Sequence, residues 1–177
     1  MEKHTGYVHI YCGNGKGKTT CGMGLCIRAA GYGYKVLIYQ FMKDNTTSER
    51  KILEQLPNIT ILDGLKNEKF SFQMTPEEKN TRRAYYESRF QEITRIAIDE
   101  NYDVLFMDEL IYTIRAGLFR EELLLNFLKS KPEKLEVILT GQDPSQALIN
   151  SADYVSNIQK QKHPFDRGLP AREGIER

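Results

Sequence analysis

The chain has 177 residues, of which 40% are hydrophobic and 28% charged, with a formal net charge of +1. This is the composition of one globular domain over 1–177, long enough to bury a core, and it gives no bulk attraction to nucleic acid or to an anionic membrane. Cys12, Cys21 and Cys26 form no C-x-x-C pair, which argues against a disulfide framework or zinc site and for a reducing, cytoplasmic compartment; no apolar run is long enough to span a bilayer.

A short strand is expected over 7–11. It runs into Tyr11-Cys12-Gly13-Asn14-Gly15-Lys16-Gly17-Lys18-Thr19-Thr20. The glycines permit a backbone that turns successive N–H groups around an anion, and the helix expected over 21–30 adds its positive dipole end. Lys18 can reach phosphate oxygens, and the Thr19 hydroxyl can ligate magnesium. The stretch reads as a phosphate-binding loop with an unusual spelling. The common form G-x-x-x-x-G-K-[ST] puts glycine where this chain has Cys12, and Lys16 is an additional cation inside the loop. In the helix, Gly22 and Gly24 are expected to permit close approach to a sheet, with Cys21 and Cys26 packing as small apolar residues. Gly31-Tyr32-Gly33 ends it.

Residues 35–40 read as a buried strand, 49–56 as a helix and 59–62 as a third strand. Just past the second strand stand Lys43, Glu49 and Arg50, each taken alone a solvated surface charge before it is a ligand. Phe70-Ser71-Phe72 lies in a polar stretch, where its aromatics either fold back on the core or wall a pocket for a large flat ligand. Thr75-Pro76-Glu77-Glu78 is a capping box, and Tyr86, Phe90, Ile93 and Ala97 then recur as one buried helical stripe.

Residues 103–107 form the next strand, ending in Asp108-Glu109. A magnesium–nucleotide site needs such carboxylates across from Thr19; the competing reading is that they cap a helix. A helix over 120–131 and a strand over 136–140 follow. Asp143-Pro144-Ser145-Gln146 is expected to cap a short helix as Thr75 does, and 154–158 is a last strand before a polar tail. In that tail the loop around His163 either closes over a nucleotide or is an ordinary turn. The alternation of strands and helices predicts a three-layer α/β/α fold with a mostly parallel sheet and ligands at the strands' C-terminal ends. No Ser/His/Asp or paired-carboxylate arrangement offers a general base. The residues alone leave open a small-molecule kinase or ATPase and a non-catalytic nucleotide-dependent binder.

In order along most of its length, the chain resembles the corrinoid adenosyltransferases. The likeness is carried by Gly13-Asn14-Gly15-Lys16-Gly17-Lys18-Thr19-Thr20, Arg28-Ala29, Gln40-Phe41-Met42-Lys43, Glu49-Arg50, Phe70-Ser71-Phe72, Asp108-Glu109-Leu110-Ile111-Tyr112, Thr140-Gly141 and Lys162-His163-Pro164-Phe165-Asp166. The resemblance implies a P-loop, RecA-like fold and transfer of the 5′-deoxyadenosyl group of ATP to the Co(I) of a reduced corrinoid, with triphosphate released. The nucleotide would lie in the loop in the reverse of the usual direction.

By the same resemblance Gly13 to Thr20 hold the triphosphate, with Lys16 and Lys18 neutralising it as it departs. Thr19, Glu109 and Asp108 serve Mg2+, and Arg28, Lys43 and His163 belong to the binding site. Phe70 and Phe72 match positions on the lower corrin face, where apolar rings displace the axial ligand and make reduction to Co(I) feasible. Relatives carry an indole at the second of these positions, where this chain has Phe72, and a longer segment before the first strand, so the cover over the corrinoid is expected to differ. A homodimer and a flavoprotein reductant are also implied, with no nucleic-acid or membrane partner.

Overall fold

The computed structural model describes residues 5–66 and 71–176. Six strands, β1 (Val8–Cys12), β2 (Val36–Gln40), β3 (Ile59–Ile61), β4 (Val104–Asp108), β5 (Glu136–Thr140) and β6 (Tyr154–Asn157), form one sheet in the order β3-β2-β4-β5-β1-β6. All its pairings are parallel, where the sequence predicted a mostly parallel sheet. Parallel neighbours need crossovers, and these carry α1 (Lys18–Tyr32), α2 (Arg50–Leu53), α3 (Pro76–Asp99), α4 (Leu110–Arg115), α5 (Glu121–Ser130) and α6 (Gln146–Asn150).

Period-two alternation sends successive strand residues to opposite faces. Val36, Ile38, Val104, Phe106 and Ile138 meet Met23, Cys26, Ala29 and Ala30 of α1 and Leu53 of α2. On the other face Leu37, Tyr39, Leu105, Met107, Val137 and Leu139 meet the α3 stripe of Tyr86, Phe90, Ile93 and Ala97, together with Leu110, Leu124 and Leu128. Each fully buried aliphatic or aromatic side chain contributes about 1.5–3 kcal/mol. α3 starts where its capping box directs: the Thr75 hydroxyl accepts from Glu78 N–H, and Glu78 reaches back to Thr75 N–H.

The close approach of α1 to the sheet rests on Gly22 alone. A Cβ there would lie 2.4 Å from Phe106 Cζ, whereas at Gly24 it would meet open space. Cys26 is buried as expected, but Cys21 is exposed, because it falls on the outward side of α1. The cap of α6 is Ser145, whose hydroxyl accepts from Leu148 N–H; Asp143 instead adopts φ 53 two residues earlier. The short α4 directly after Asp108-Glu109 is an element that the sequence pattern did not resolve.

Because every strand runs the same way, the exits of β1, β2, β4, β5 and β6 share one rim of the sheet. The functional groups collect there.

Candidate active site

The phosphate-binding loop leaves β1 and enters α1 through two left-handed glycines, Gly13 (φ 102) and Gly17 (φ 114). At Gly13 a Cβ would stand 2.3 Å from the Ile158 carbonyl oxygen, so a side chain is excluded by both space and conformation. The chain leaving β6 buttresses the loop. Ile158 N–H donates to the Cys12 carbonyl (2.8 Å), Gly15 N–H to the Ile158 carbonyl (2.8 Å), and Lys160 N–H to Asn14 Oδ1 (2.8 Å). The Gly15 N–H is thus committed to the scaffold, which leaves anion binding to the loop's later N–H groups and its lysines. Lys18 Nζ donates to the Gly15 carbonyl at 2.9 Å, and Lys16 Nζ pairs with Glu176 Oε1 at 3.2 Å.

Asp108, at the end of β4, joins the loop to the rest of the rim. It is 0% exposed, and both its oxygens accept hydrogen bonds. Oδ1 takes the hydroxyls of Thr19 (3.0 Å) and Thr140 (2.6 Å); Oδ2 takes Gln40 Nε2 (3.1 Å) and Lys43 Nζ (2.6 Å). Burial alone would raise its pKa, yet the charge of Lys43 and the hydrogen bonds from Lys43, Thr140 and Gln40 hold it below the ordinary carboxylate range. Burial likewise works against the Lys43 ammonium, but Asp108 more than compensates and raises its pKa. Each Asp108 oxygen thus accepts from two protein donors, and one of these is the Thr19 hydroxyl.

Glu109 is different. At φ 60 it takes a left-handed conformation that costs a non-glycine residue about 1 kcal/mol or more. It stands at the N-cap position of α4, yet its carboxylate makes no capping hydrogen bond. Its backbone N–H donates to Thr140 Oγ1 at 2.8 Å, which fixes the turn. Its side chain lines the same cleft as the loop, and burial followed by the charge of Asp108 raises its pKa. Among the described residues the Glu109 carboxylate has no hydrogen-bond partner, and oxygen donors of this kind, with the Thr19 hydroxyl, could hold a hard cation. No group of three or more His, Cys, Asp or Glu among the described residues could hold a metal ion by itself.

The cleft, of about 330 Å³, is floored by 14–20 and Glu109 and roofed by the C-terminal tail, including His163, Phe165 and Glu176. His163 Nδ1 accepts from Phe165 N–H at 3.2 Å and so shapes the 3-10 turn over Pro164–Arg167. The structure thus brings together Asn14, Gly15, Lys16, Gly17, Lys18, Thr19, Thr20, Lys43, Asp108, Glu109 and His163, with Gly13 behind the loop against Ile158. It does not bring in Arg28, which lines a separate concavity with Tyr32 and Tyr34 at the N-terminal ends of the strands. Phe70 lies outside the described residues. Phe72, 77% exposed, sits in a 3-10 turn over Ser71–Gln73, just before α3, and does not line the cleft.

Lys43 is no surface charge, and neither is Arg50. Arg50 is buried at 5% exposure, bonded to Glu54, Asp63 and Asn45, and it anchors the loop after β2. Glu49 and Thr47 orient Gln40. Gln40 and Thr140 were quoted among the segments of the likeness but given no role in the site, and the 158–160 buttress was missed altogether. Gln40 and Thr140, polar residues closing otherwise apolar strands, were the available signal.

A glycine-rich loop between strand and helix, with an acidic strand end one strand removed from its neighbour, defines a P-loop nucleotide-binding α/β protein. Solved structures agree on the fold. A KaiC-like protein of Pyrococcus horikoshii superposes with a TM-score of 0.57 at 18% identity, covering 89% of this chain and 74% of that one. The chain belongs to the family described as ATP:corrinoid adenosyltransferase BtuR/CobO/CobP, whose profile matches residues 4–177. It is 30% identical to the corrinoid adenosyltransferase of Escherichia coli (strain K12) over 99% of this chain and 87% of that protein. The same figures hold for corrinoid adenosyltransferase CobA of Salmonella typhimurium.

Proposed function

We propose that the loop holds the triphosphate of ATP as a leaving group while the nucleoside end meets the corrinoid. As a member of its family the chain is an ATP:corrinoid adenosyltransferase, and what is proposed is how its residues perform that transfer. The Co(I) electron pair attacks C5′, a Co–C bond forms, the C5′–O5′ bond breaks, and O5′ leaves with the triphosphate. The nucleophile comes with the substrate, so the protein needs no general base. Its own work is positioning and neutralising charge.

In this reading Lys16 and Lys18 neutralise the departing triphosphate, with Gly13 to Thr20 around it. The Thr19 hydroxyl, oriented by Asp108, and the carboxylate of Glu109 would hold Mg2+, which would supply Lewis-acid stabilisation of charge on phosphate oxygens. His163 and the tail close the cleft. Phe72, with Phe70, serves the corrin's lower face; the exposure of Phe72 leaves its ring free to meet a large flat ligand. Residues 1–177 act as one cytoplasmic domain supplied with electrons by a flavoprotein. The exposed edge strand β6, with Tyr154 and Val155 beside Tyr7, suits pairing with a second copy.

The observation that carries this reading is the cleft itself, in which the loop lysines, Thr19 and an unpaired Glu109 face one another under the tail. ATP labelled with 18O at the 5′-bridging oxygen tests it. The label is expected in inorganic triphosphate. Label retained in ADP would show cleavage at the γ-phosphate and overturn the reading.

A further inference from the structure

Lys43 sits where its charge matters most. Its Nζ lies 2.6 Å from Asp108 Oδ2 and 3.2 Å from Thr19 Oγ1. The Thr19 hydroxyl proton is already given to Asp108 Oδ1, so the ammonium rests on a lone pair of the oxygen that would ligate the metal. The placement is enforced. Met42, immediately before it, is held at φ 54, its N–H donates to the Tyr86 hydroxyl at 3.1 Å, and Phe41 N–H is fixed to the Asp108 carbonyl at 2.9 Å. Around Thr19 the carboxylates of Asp108, Glu109 and Glu49 face the ammoniums of Lys18 and Lys43, and Glu176 is shared between Lys16 and Arg172, so that four carboxylates meet four cations. A lone divalent cation would therefore enter a site that is already balanced, beside an ammonium sharing its oxygen ligand. A metal that arrives on a polyphosphate brings the compensating negative charge with it, and Lys43 can then turn a proton toward phosphate without leaving Asp108.

We propose that Lys43 is a resident counter-ion that keeps a divalent cation out of the site until a polyphosphate arrives, so that metal and nucleotide enter as one complex. This makes Lys43 a positioning residue that acts through Thr19 and Asp108. The inference rests on the assignment of Thr19 and Glu109 as the metal's protein ligands.

The test is Mn2+ binding to the full chain, followed by electron paramagnetic resonance with and without ATP. Wild type without ATP is expected to bind Mn2+ only weakly and to gain an ordered site when ATP is added. Lys43→Gln keeps a donor for Asp108 but removes the charge. Without ATP it should bind Mn2+ about tenfold to thirtyfold more tightly than wild type, the scale set by charges of +1 and +2 about 4 Å apart in a water-like dielectric. Lys43→Arg should behave as wild type, and adding Glu109→Gln to Lys43→Gln should abolish the gain. A site that forms in wild type with ATP but shows no gain in Lys43→Gln overturns the inference and leaves the metal assignment standing. Absence of a Glu109-dependent site even with ATP overturns both. Should Lys43→Gln fail to fold, wild type still decides: nucleotide-free Mn2+ binding as tight as binding in the presence of ATP overturns the inference.

Discussion

Replacing Asp108 by Asn changes almost no volume and removes one charge, so it isolates the electrostatics of the buried knot between loop and sheet. In the native protein Oδ1 accepts from Thr19 and Thr140, and Oδ2 from Gln40 and Lys43. An amide keeps one acceptor oxygen and turns an NH2 toward two donors, whichever way it is flipped. Hydrogen bonds to a charged group contribute about 1.5–3 kcal/mol each, and removing one partner of a buried ion pair costs about 3–5 kcal/mol. The Lys43 side chain keeps 23% of its exposure and can turn to water, so the expected loss is lower, about 2–4 kcal/mol. Urea unfolding of Asp108→Asn, Lys43→Met and the double variant measures it. The double variant should be less destabilised than the sum of the singles by about 1–3 kcal/mol. A single-variant cost under about 0.5 kcal/mol, or strict additivity, would refute the account of the knot.

Gly22→Ala gains helix propensity of about 1 kcal/mol but drives a Cβ into the fully buried Phe106 ring, so a lower thermal midpoint is expected. Gly24→Ala, facing open space, should instead be neutral or stabilising. Phe72→Ala should leave stability within about 0.5 kcal/mol, because the ring is 77% exposed. It should impair reaction from Co(II) far more than reaction from chemically pre-reduced Co(I), and equal losses would remove Phe72 from the reduction step. Burial opposes ionisation of Glu136, but His9 Nε2 and the N–H groups of Gly6 and Tyr7 bring its pKa below the ordinary range. Its contribution is therefore complete above the unfolded value of about 4.3 and is lost as pH falls through the lower folded value. Glu136→Gln should flatten that acid limb in urea midpoints taken across it.

Features made by neighbours in the chain were legible before the structure. The loop spelling, the Thr75 capping box, the Tyr86-to-Ala97 stripe and the acid pair closing β4 each depend on spacing over a few residues, and each stands where it was read. What the sequence hid depends on contacts between distant segments. Thr19 meets Asp108 across 89 residues, and Lys160 braces Asn14 across 146. Asp108 and Glu109 look equivalent on paper. Only the folded chain shows four donors around the one and a left-handed turn at the other. Arg28 was placed in the site by resemblance, but ten residues of helix carry it about 15 Å down α1. Ser145 displaced Asp143 as a cap because both lie before the same short helix, and propensity does not rank them.

The central claim is that this cleft releases triphosphate as adenosyl passes to a corrinoid. Incubation with ATP, a chemical reductant and cobalamin, with both products quantified, tests it directly. The account predicts inorganic triphosphate and light-sensitive adenosylated corrinoid in equal amounts, each dependent on the other substrate. ADP or orthophosphate released at the same rate without corrinoid would contradict it.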